Sequence, residues 1–264
     1  MNAAAPSFSV REDLKLAGVF GLAAAIATAL LFPYLLQLMP QAFEKVPLPL
    51  AVLIPLQSFQ AGLLFSLLAF VGLRLAPRAR LGAPWLRAWM QGQPRPPLAW
   101  KTAIASGLLA GLAIVAFAAL LDPHLPARLP TGSSPPAATA DAFNGFLASF
   151  YGGIGEEIQL RLFLMTLIVW LIARFGARSL TPPAFWFAIV ATALLFGAGH
   201  LPAAAQVWPM DAFVVFRTIA LNTVAGLVFG WLYWRHGIET AMLAHFSADI
   251  VLHVLAPLAG AALT

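Results

Sequence analysis

Residues 152–165, GGIGEEIQLRLFLM, set Glu156, Glu157 and Arg161 inside a run that is otherwise apolar. Charges in such a place either neutralise one another or serve a partner in a hydrated interior. Glu157 and Arg161 are four apart and share a helical face. Glu156 is turned about 100° from Glu157. A Glu157–Arg161 ion pair accounts for those two residues, because ionisable groups inside membranes usually pair. One guanidinium cannot neutralise both carboxylates, so Glu156 is left over. Placing that second carboxylate at the bilayer centre costs roughly 2.5–3.5 kcal/mol on insertion scales, which a water-filled cavity or a functional partner offsets.

Two other apolar runs carry candidate partners. In LLFGAGHLP, His200 closes a run and Phe196 stands four residues before it. In AMLAHFSADIVLH, His245 and Asp249 are four apart, on one helical face. Each has a plain reading: His200 before Leu-Pro as a membrane-edge residue, and His245 with Asp249 as an interhelical hydrogen-bonding pair. Their occurrence together with the two glutamates, on three separate runs, points to a common interior. His124 and His236 read as solvated loop residues and His253 as interfacial. Glu239 reads as the acidic start of the last helix, where it suits the helix dipole. Gln159 and Asn222 are secondary candidates for lining a cavity.

The elements that must position these residues are membrane spans. Of the 264 residues, 61% are hydrophobic and 9% charged, against about 25% charged in soluble domains. The sequence predicts an all-α, polytopic transmembrane bundle of seven spans, within a range of six to eight. They lie near 14–39, 50–73, 102–121, within 142–173, and near 184–201, 213–234 and 239–256. Residues 1–141 form the N-terminal spans with a basic loop, and 142–264 the part that carries the ionisable cluster. The fourth run is about 30 residues, roughly 45 Å as a helix, against about 30 Å of hydrocarbon. It must tilt, protrude or break, and Gly152, Gly153 and Gly155 are the natural places. Straight spans would put His200 and His245 about 14 Å apart in depth at 1.5 Å per residue. A shared site therefore needs tilted or shifted helices.

Between the second and third spans, Trp85, Leu86 and Trp89 stand among arginines and predict a short helix in the interface. Arg74, Arg78, Arg80, Arg87, Arg95 and Lys101 crowd this connection with no acid among them. That is the signature of a cytoplasmic loop rather than of a nucleic-acid surface. With Arg11, Lys15, Arg174, Arg178 and Arg235 on the same side, the N-terminus is expected in the cytoplasm. The high Ala and Arg content, with only three Lys, suits a GC-rich bacterial genome, and the expected location is a bacterial inner membrane. The segment 122–141 is Pro-, Ser- and Thr-rich and reads as an extramembrane loop, with Asp141 expected to cap the next helix. The absence of cysteine excludes disulfides, thiolate metal sites and a cysteine nucleophile. The first apolar run is too long for a cleaved signal and reads as an anchor.

The candidate residues also stand in a recognisable order. EEIQLR fits E-E-x-x-x-R, FGAGH fits F-x-x-x-H, and HFSAD fits H-x-x-x-(N/D). With the approach GLVFGWLYWRHGIETAMLAH, residues of about 150–252 resemble the CPBP intramembrane proteases (CAAX proteases and bacteriocin-processing enzymes, also called Abi), related to type II CAAX prenyl endopeptidases. Residues 1–140 carry no such signature, and Asp249 stands where Asn is more usual. The resemblance implies hydrolysis of a peptide bond in a membrane-associated or lipid-modified substrate within the bilayer, with Glu156 as general base. It implies that Glu157 pairs with Arg161 and orients the site, although the two glutamates can exchange roles. Two roles stay open for His200 and His245. With Glu156 they would hold a divalent metal, expected to be zinc, or they would polarise the scissile carbonyl without one. The H-E-x-x-H, G-x-S-G and G-x-G-D motifs of other intramembrane proteases are absent. A proton-coupled transporter and a non-catalytic immunity-type protein are the competing functions.

Overall fold

The computed structural model describes residues 8–129, 137–176 and 180–262. Arg178 and the middle of the proline-rich connection, residues 130–136, lie outside the described residues. Among the described residues the chain is helical throughout, with no strand. Seven continuous stretches are long and apolar enough to cross a bilayer: Val10–Leu38, Leu50–Ala79, Trp100–His124, Ala138–Phe175, Pro182–Ala204, Ala212–His236 and Ile238–Gly260. The chain is thus an all-α, integral membrane protein, as its hydropathy predicts.

The helices are α1 (Val10–Leu38), α2 (Pro40–Glu44), α3 (Leu50–Ala79), α4 (Pro84–Met90), α5 (Trp100–Leu121) and α6 (Ala138–Tyr151). They continue with α7 (Thr166–Phe175), α8 (Pro182–Gly199), α9 (Leu201–Ala204), α10 (Ala212–His236), α11 (Ile238–Asp249) and α12 (Ala256–Ala262). Two of the starts are written in their caps. Ser9 Oγ accepts the Glu12 N–H at 3.2 Å while Glu12 accepts the Ser9 N–H at 3.0 Å, a reciprocal box that opens α1. Asp211 accepts the Val214 N–H at 2.7 Å and opens α10. Asp141 does not cap α6. Its own N–H already bonds to Ala137 O, so it sits one turn inside the helix. It instead accepts from Gln37 Nε2 at 2.6 Å, while Gln37 Oε1 accepts from Asn144 at 2.7 Å.

Helix α1 lies along α3 and α6, α8 pairs with α10, and α11 sits between α5, α6 and α10. Bilayer helices gain nothing from burying leucine against leucine, so close approach depends on small residues. Between α8 and α10 the Cβ of Ala193 meets Gly226, and Phe185 stacks on Trp234 at 4.8 Å. Side chains such as Leu22, Phe59, Leu63 and Leu109 point outward around the rim, as a lipid-facing surface requires.

The predicted interfacial helix is α4. Its Arg87 turns inward and Trp89 outward. The helix is fastened to the start of α11 at two points. Glu239 Oε1 accepts the Leu86 N–H at 2.8 Å, and Gly82 O accepts the Ile238 N–H at 3.0 Å. Glu239 does begin the last helix, but its carboxylate is spent on α4.

Candidate active site

The fourth span breaks its regular geometry where the glycines stand. Residues Gly152–Glu156 and Ile158–Met165 form wide, π-helical turns between α6 and α7. Such turns displace a side chain from its α-helical bearing and are frequent at functional sites. Gly152 is required by contact: a Cβ there would fall onto Asp249 Oδ2 and against His245 Nε2. The missing side chain lets α11 bring its polar face onto the fourth span.

Glu157 and Arg161 are both fully buried. Arg161 Nη1 approaches Glu157 Oε1 at 2.9 Å, an ion-pair contact without hydrogen-bond alignment, and Nη2 donates to Gly226 O at 3.3 Å. The guanidinium also faces the rings of Phe196, at 5.1 Å, and Phe229, at 5.5 Å. A desolvated cation over aromatic faces is worth about 2 kcal/mol, which helps to offset its burial.

The same Glu157 oxygen accepts from His245 Nδ1 at 2.8 Å. A carboxylate ionised beside Arg161 only accepts, so Nδ1 carries the proton and Nε2 is the nitrogen left to face the cluster. That Nε2 lies 3.6 Å from Glu156 Oε2 and 3.7 Å from Asp249 Oδ1. Phe229 stacks on the His245 ring at 4.4 Å and fixes its plane.

His200 closes α8. Pro202, two residues on, has no N–H to continue the helix regularly. Its Nδ1 bonds to Phe196 O at 2.9 Å, and since a carbonyl only accepts, Nε2 is again the free nitrogen. It lies 4.0 Å from Glu156 Oε1. Phe196 meets both imidazoles edge-on, with centroids 4.7 Å from His200 and 5.6 Å from His245. The phenylalanine of F-x-x-x-H thus touches both histidines and the arginine.

The six candidates therefore come together: Glu156 between His200 and His245, Asp249 beside His245, Glu157 and Arg161 beneath. The predicted offset in depth is bridged by side chains. His200 and His245 address opposite oxygens of one Glu156 carboxylate, so neither needs to reach the other. Gln159 is exposed and takes no part, and Asn222 spends its amide on Thr218 O at 2.8 Å. His253 is half-buried, its ring edge-on to Tyr34 at 5.5 Å. Sequence reasoning missed Phe229 and Gly152. Phe229 carries no motif, and a glycine at 152 signals irregularity but not the contact it permits.

The residues expected to hold a metal are Glu156, His200 and His245. Zinc holds nitrogen and oxygen donors at about 2.0–2.2 Å from one point. Here His200 and His245 flank opposite oxygens of Glu156, and among the described residues no three His, Asp or Glu side chains are arranged to hold a metal ion.

Fold and site together define an integral membrane protein with an ionisable cluster assembled between its spans. Residues 138–251, which contain all six candidates, match the family described as Type II CAAX prenyl endopeptidase Rce1-like, and this match supports a place for that stretch in the CPBP (CAAX protease) family of membrane-embedded proteases. No curated protein and no solved structure matches the chain.

Proposed function

We propose that this protein is a glutamate-dependent intramembrane endopeptidase, cutting a peptide bond in a membrane-associated or lipid-modified substrate. The observation that carries the reading is the unequal state of two neighbouring carboxylates. Glu157 is sealed and paired, whereas Glu156 is 23% exposed, next to a His200 that is 35% exposed, with every polar neighbour at 3.6 Å or more. Such separations exceed a direct hydrogen bond and suit groups that address a common third atom.

In this scheme Glu156 takes a proton from water held against His200 Nε2. The hydroxyl oxygen attacks the scissile carbonyl carbon, and the carbonyl π electrons move onto its oxygen. His245, when protonated, donates from Nε2 to that oxygen. Glu156 then returns the proton to the amide nitrogen as the C–N bond breaks. Glu157 and Arg161 hold His245 in register and touch no reacting atom.

The test is cleavage of membrane-anchored peptides, isoprenylated, acylated and single-span, by purified protein in proteoliposomes. Wild type is expected to cleave at least one class, Glu156→Gln to fail at the wild-type melting temperature, and His245→Ala to fail while still folded, with a lowered melting temperature from the lost Glu157 bond. Undiminished cleavage by both folded variants would overturn the reading. On this metal-free scheme, exhaustive chelation is expected to leave the rate unchanged. A rate abolished by chelation and restored by zinc would overturn the metal-free scheme.

A further inference from the structure

At the end of the bundle where α1 begins and α4 lies across it, a second polar site is separate from the one above. A cavity of about 510 Å³ is lined by Glu12, Lys15, Leu16, Arg87, Met90, Gln91 and Gln93. Its chemistry is mixed in an ordered way. Lys15 and Arg87 are cationic, Glu12 is anionic, Gln91 and Gln93 are amides, and Leu16 and Met90 make an apolar floor.

The charges are held in place. Arg87 is 8% exposed, its Nη2 bonded to Asp13 at 2.7 Å and its guanidinium 3.7 Å from the Phe8 ring centroid. Its other terminal nitrogen, Nη1, is buried with no hydrogen-bond partner among the described residues. A buried guanidinium N–H without an acceptor is costly, and the Arg87 charge behind the cavity wall favours an anionic group within it. Glu12 accepts from Ser9 and from Gln91 Nε2, all neutral donors, so its charge is oriented but not neutralised.

The surface that leads away from the cavity identifies the occupant. Lys15, Val19, Leu22 and Ile26 follow one another at helical spacing along one stripe of α1. Val19, Leu22 and Ile26 are exposed at 39%, 65% and 54%. Gly18, inside this stripe, has nothing within 4 Å of a notional Cβ, which leaves a shallow groove. A polar cavity at the membrane boundary thus opens onto an apolar track running into the hydrocarbon.

We infer that the cavity binds the headgroup of a phospholipid carrying a primary ammonium, of the phosphatidylethanolamine type. Its phosphodiester faces Lys15 with the Arg87 guanidinium behind it, its ammonium faces Glu12, and one acyl chain lies along Val19, Leu22 and Ile26. The charges match a zwitterion better than an anionic glycerol headgroup, which offers Glu12 hydroxyl donors but no cation. A choline headgroup has no N–H to donate to a carboxylate.

The experiment is a thermal melt of the full chain in detergent, titrated with short-chain ethanolamine, choline and glycerol phospholipids. Parallel titrations use inorganic phosphate and phosphoethanolamine. The ethanolamine lipid is expected to raise Tm by about 5 °C near saturation, with at most half that shift from the other two lipids and none from the chain-free compounds. Lys15→Ala should abolish the shift. Glu12→Gln, which keeps the capping box, should erase the preference for ethanolamine over choline and glycerol. Equal shifts from all three lipids, a full shift from phosphate alone, or an unchanged response in Lys15→Ala would overturn the inference. The readout is binding, so the result stands apart from whether the chain is a protease.

Discussion

Two buried carboxylates in this molecule are handled in opposite ways. Asp13, outside the family-matched stretch, is 1% exposed and has one guanidinium for each oxygen. Arg87 Nη2 donates to Oδ1 and Arg74 Nη1 to Oδ2, both at 2.7 Å. Glu157 is fully buried and has one oxygen serving both Arg161 and His245, while its other oxygen and two nitrogens of Arg161 lack hydrogen-bond partners. In the first arrangement the carboxylate is fully satisfied, and it fastens α1 to α3 and α4. In the second, one oxygen holds the His245 ring and the other has no hydrogen-bond partner among the described residues. Buried polar groups are nearly always satisfied, so the shortfall at Glu157 marks the place where packing has been subordinated to the site. The comparison predicts that stability and activity separate: changes at Glu156 should strike activity alone, changes at Glu157 and Arg161 both, and changes at Asp13 stability alone.

The largest expected effect is at Glu156. A positioned general base contributes about a hundred- to ten-thousandfold, so Glu156→Gln should lower kcat/KM by that order in a cleavage assay. Its melting temperature should stay within a degree or so of wild type, since no hydrogen bond is lost. Next comes Arg161→Met, which leaves Glu157 buried without its cation and should destabilise by about 3–5 kcal/mol. Thermal or denaturant unfolding in detergent reads this directly. The double variant Arg161→Met, Glu157→Met should regain much of the stability and none of the activity, because replacing both partners of a buried pair removes the uncompensated charge. Asp13→Ala strands two guanidiniums, one of them near the surface. It should cost about 1–3 kcal/mol with unchanged cleavage per folded molecule. A loss of activity as large as that of Glu156→Gln would collapse the distinction between the two carboxylates.

The part of this organisation visible in the chain was the part that local spacing controls. Seven apolar runs marked the spans, and the four-residue steps Glu157–Arg161 and His245–Asp249 placed each pair on one face. The glycines at 152, 153 and 155 marked the irregular turns. What stayed hidden depended on contacts between distant segments. The Leu86–Glu239 bond joins residues 153 apart and Gln37–Asp141 joins residues 104 apart. Neither leaves a periodic trace. Asp141 was misplaced as a cap because α6 starts three residues earlier, at Ala138, with no side-chain signal. The depth problem at His200 and His245 came from counting backbone rise alone, when a glutamate side chain between them spans the gap.

The smallest expected effect is the one that tests the inner edge of the site. Asp249 sits 3.7 Å from His245 Nε2, on the side where Gly152 makes room for it. If it serves by its charge, holding His245 in its donating form, then Asp249→Asn removes that charge and activity should fall with Asp249→Ala. If it serves by shape and by accepting a hydrogen bond from water or a substrate N–H, asparagine supplies an acceptor of the same size. The geometry favours the second. His245 already has Glu157 at 2.8 Å on its other nitrogen, so the Asp249 charge is the more distant of two. Asp249→Asn is therefore expected to retain cleavage within about threefold, less than 1 kcal/mol in transition-state terms. Asp249→Ala, which leaves a void against Gly152, should lose about ten- to a hundredfold, one lost hydrogen bond's worth. Equal losses in the two variants would make Asp249 an electrostatic partner of His245, and would move it to the same side of the comparison as Glu157.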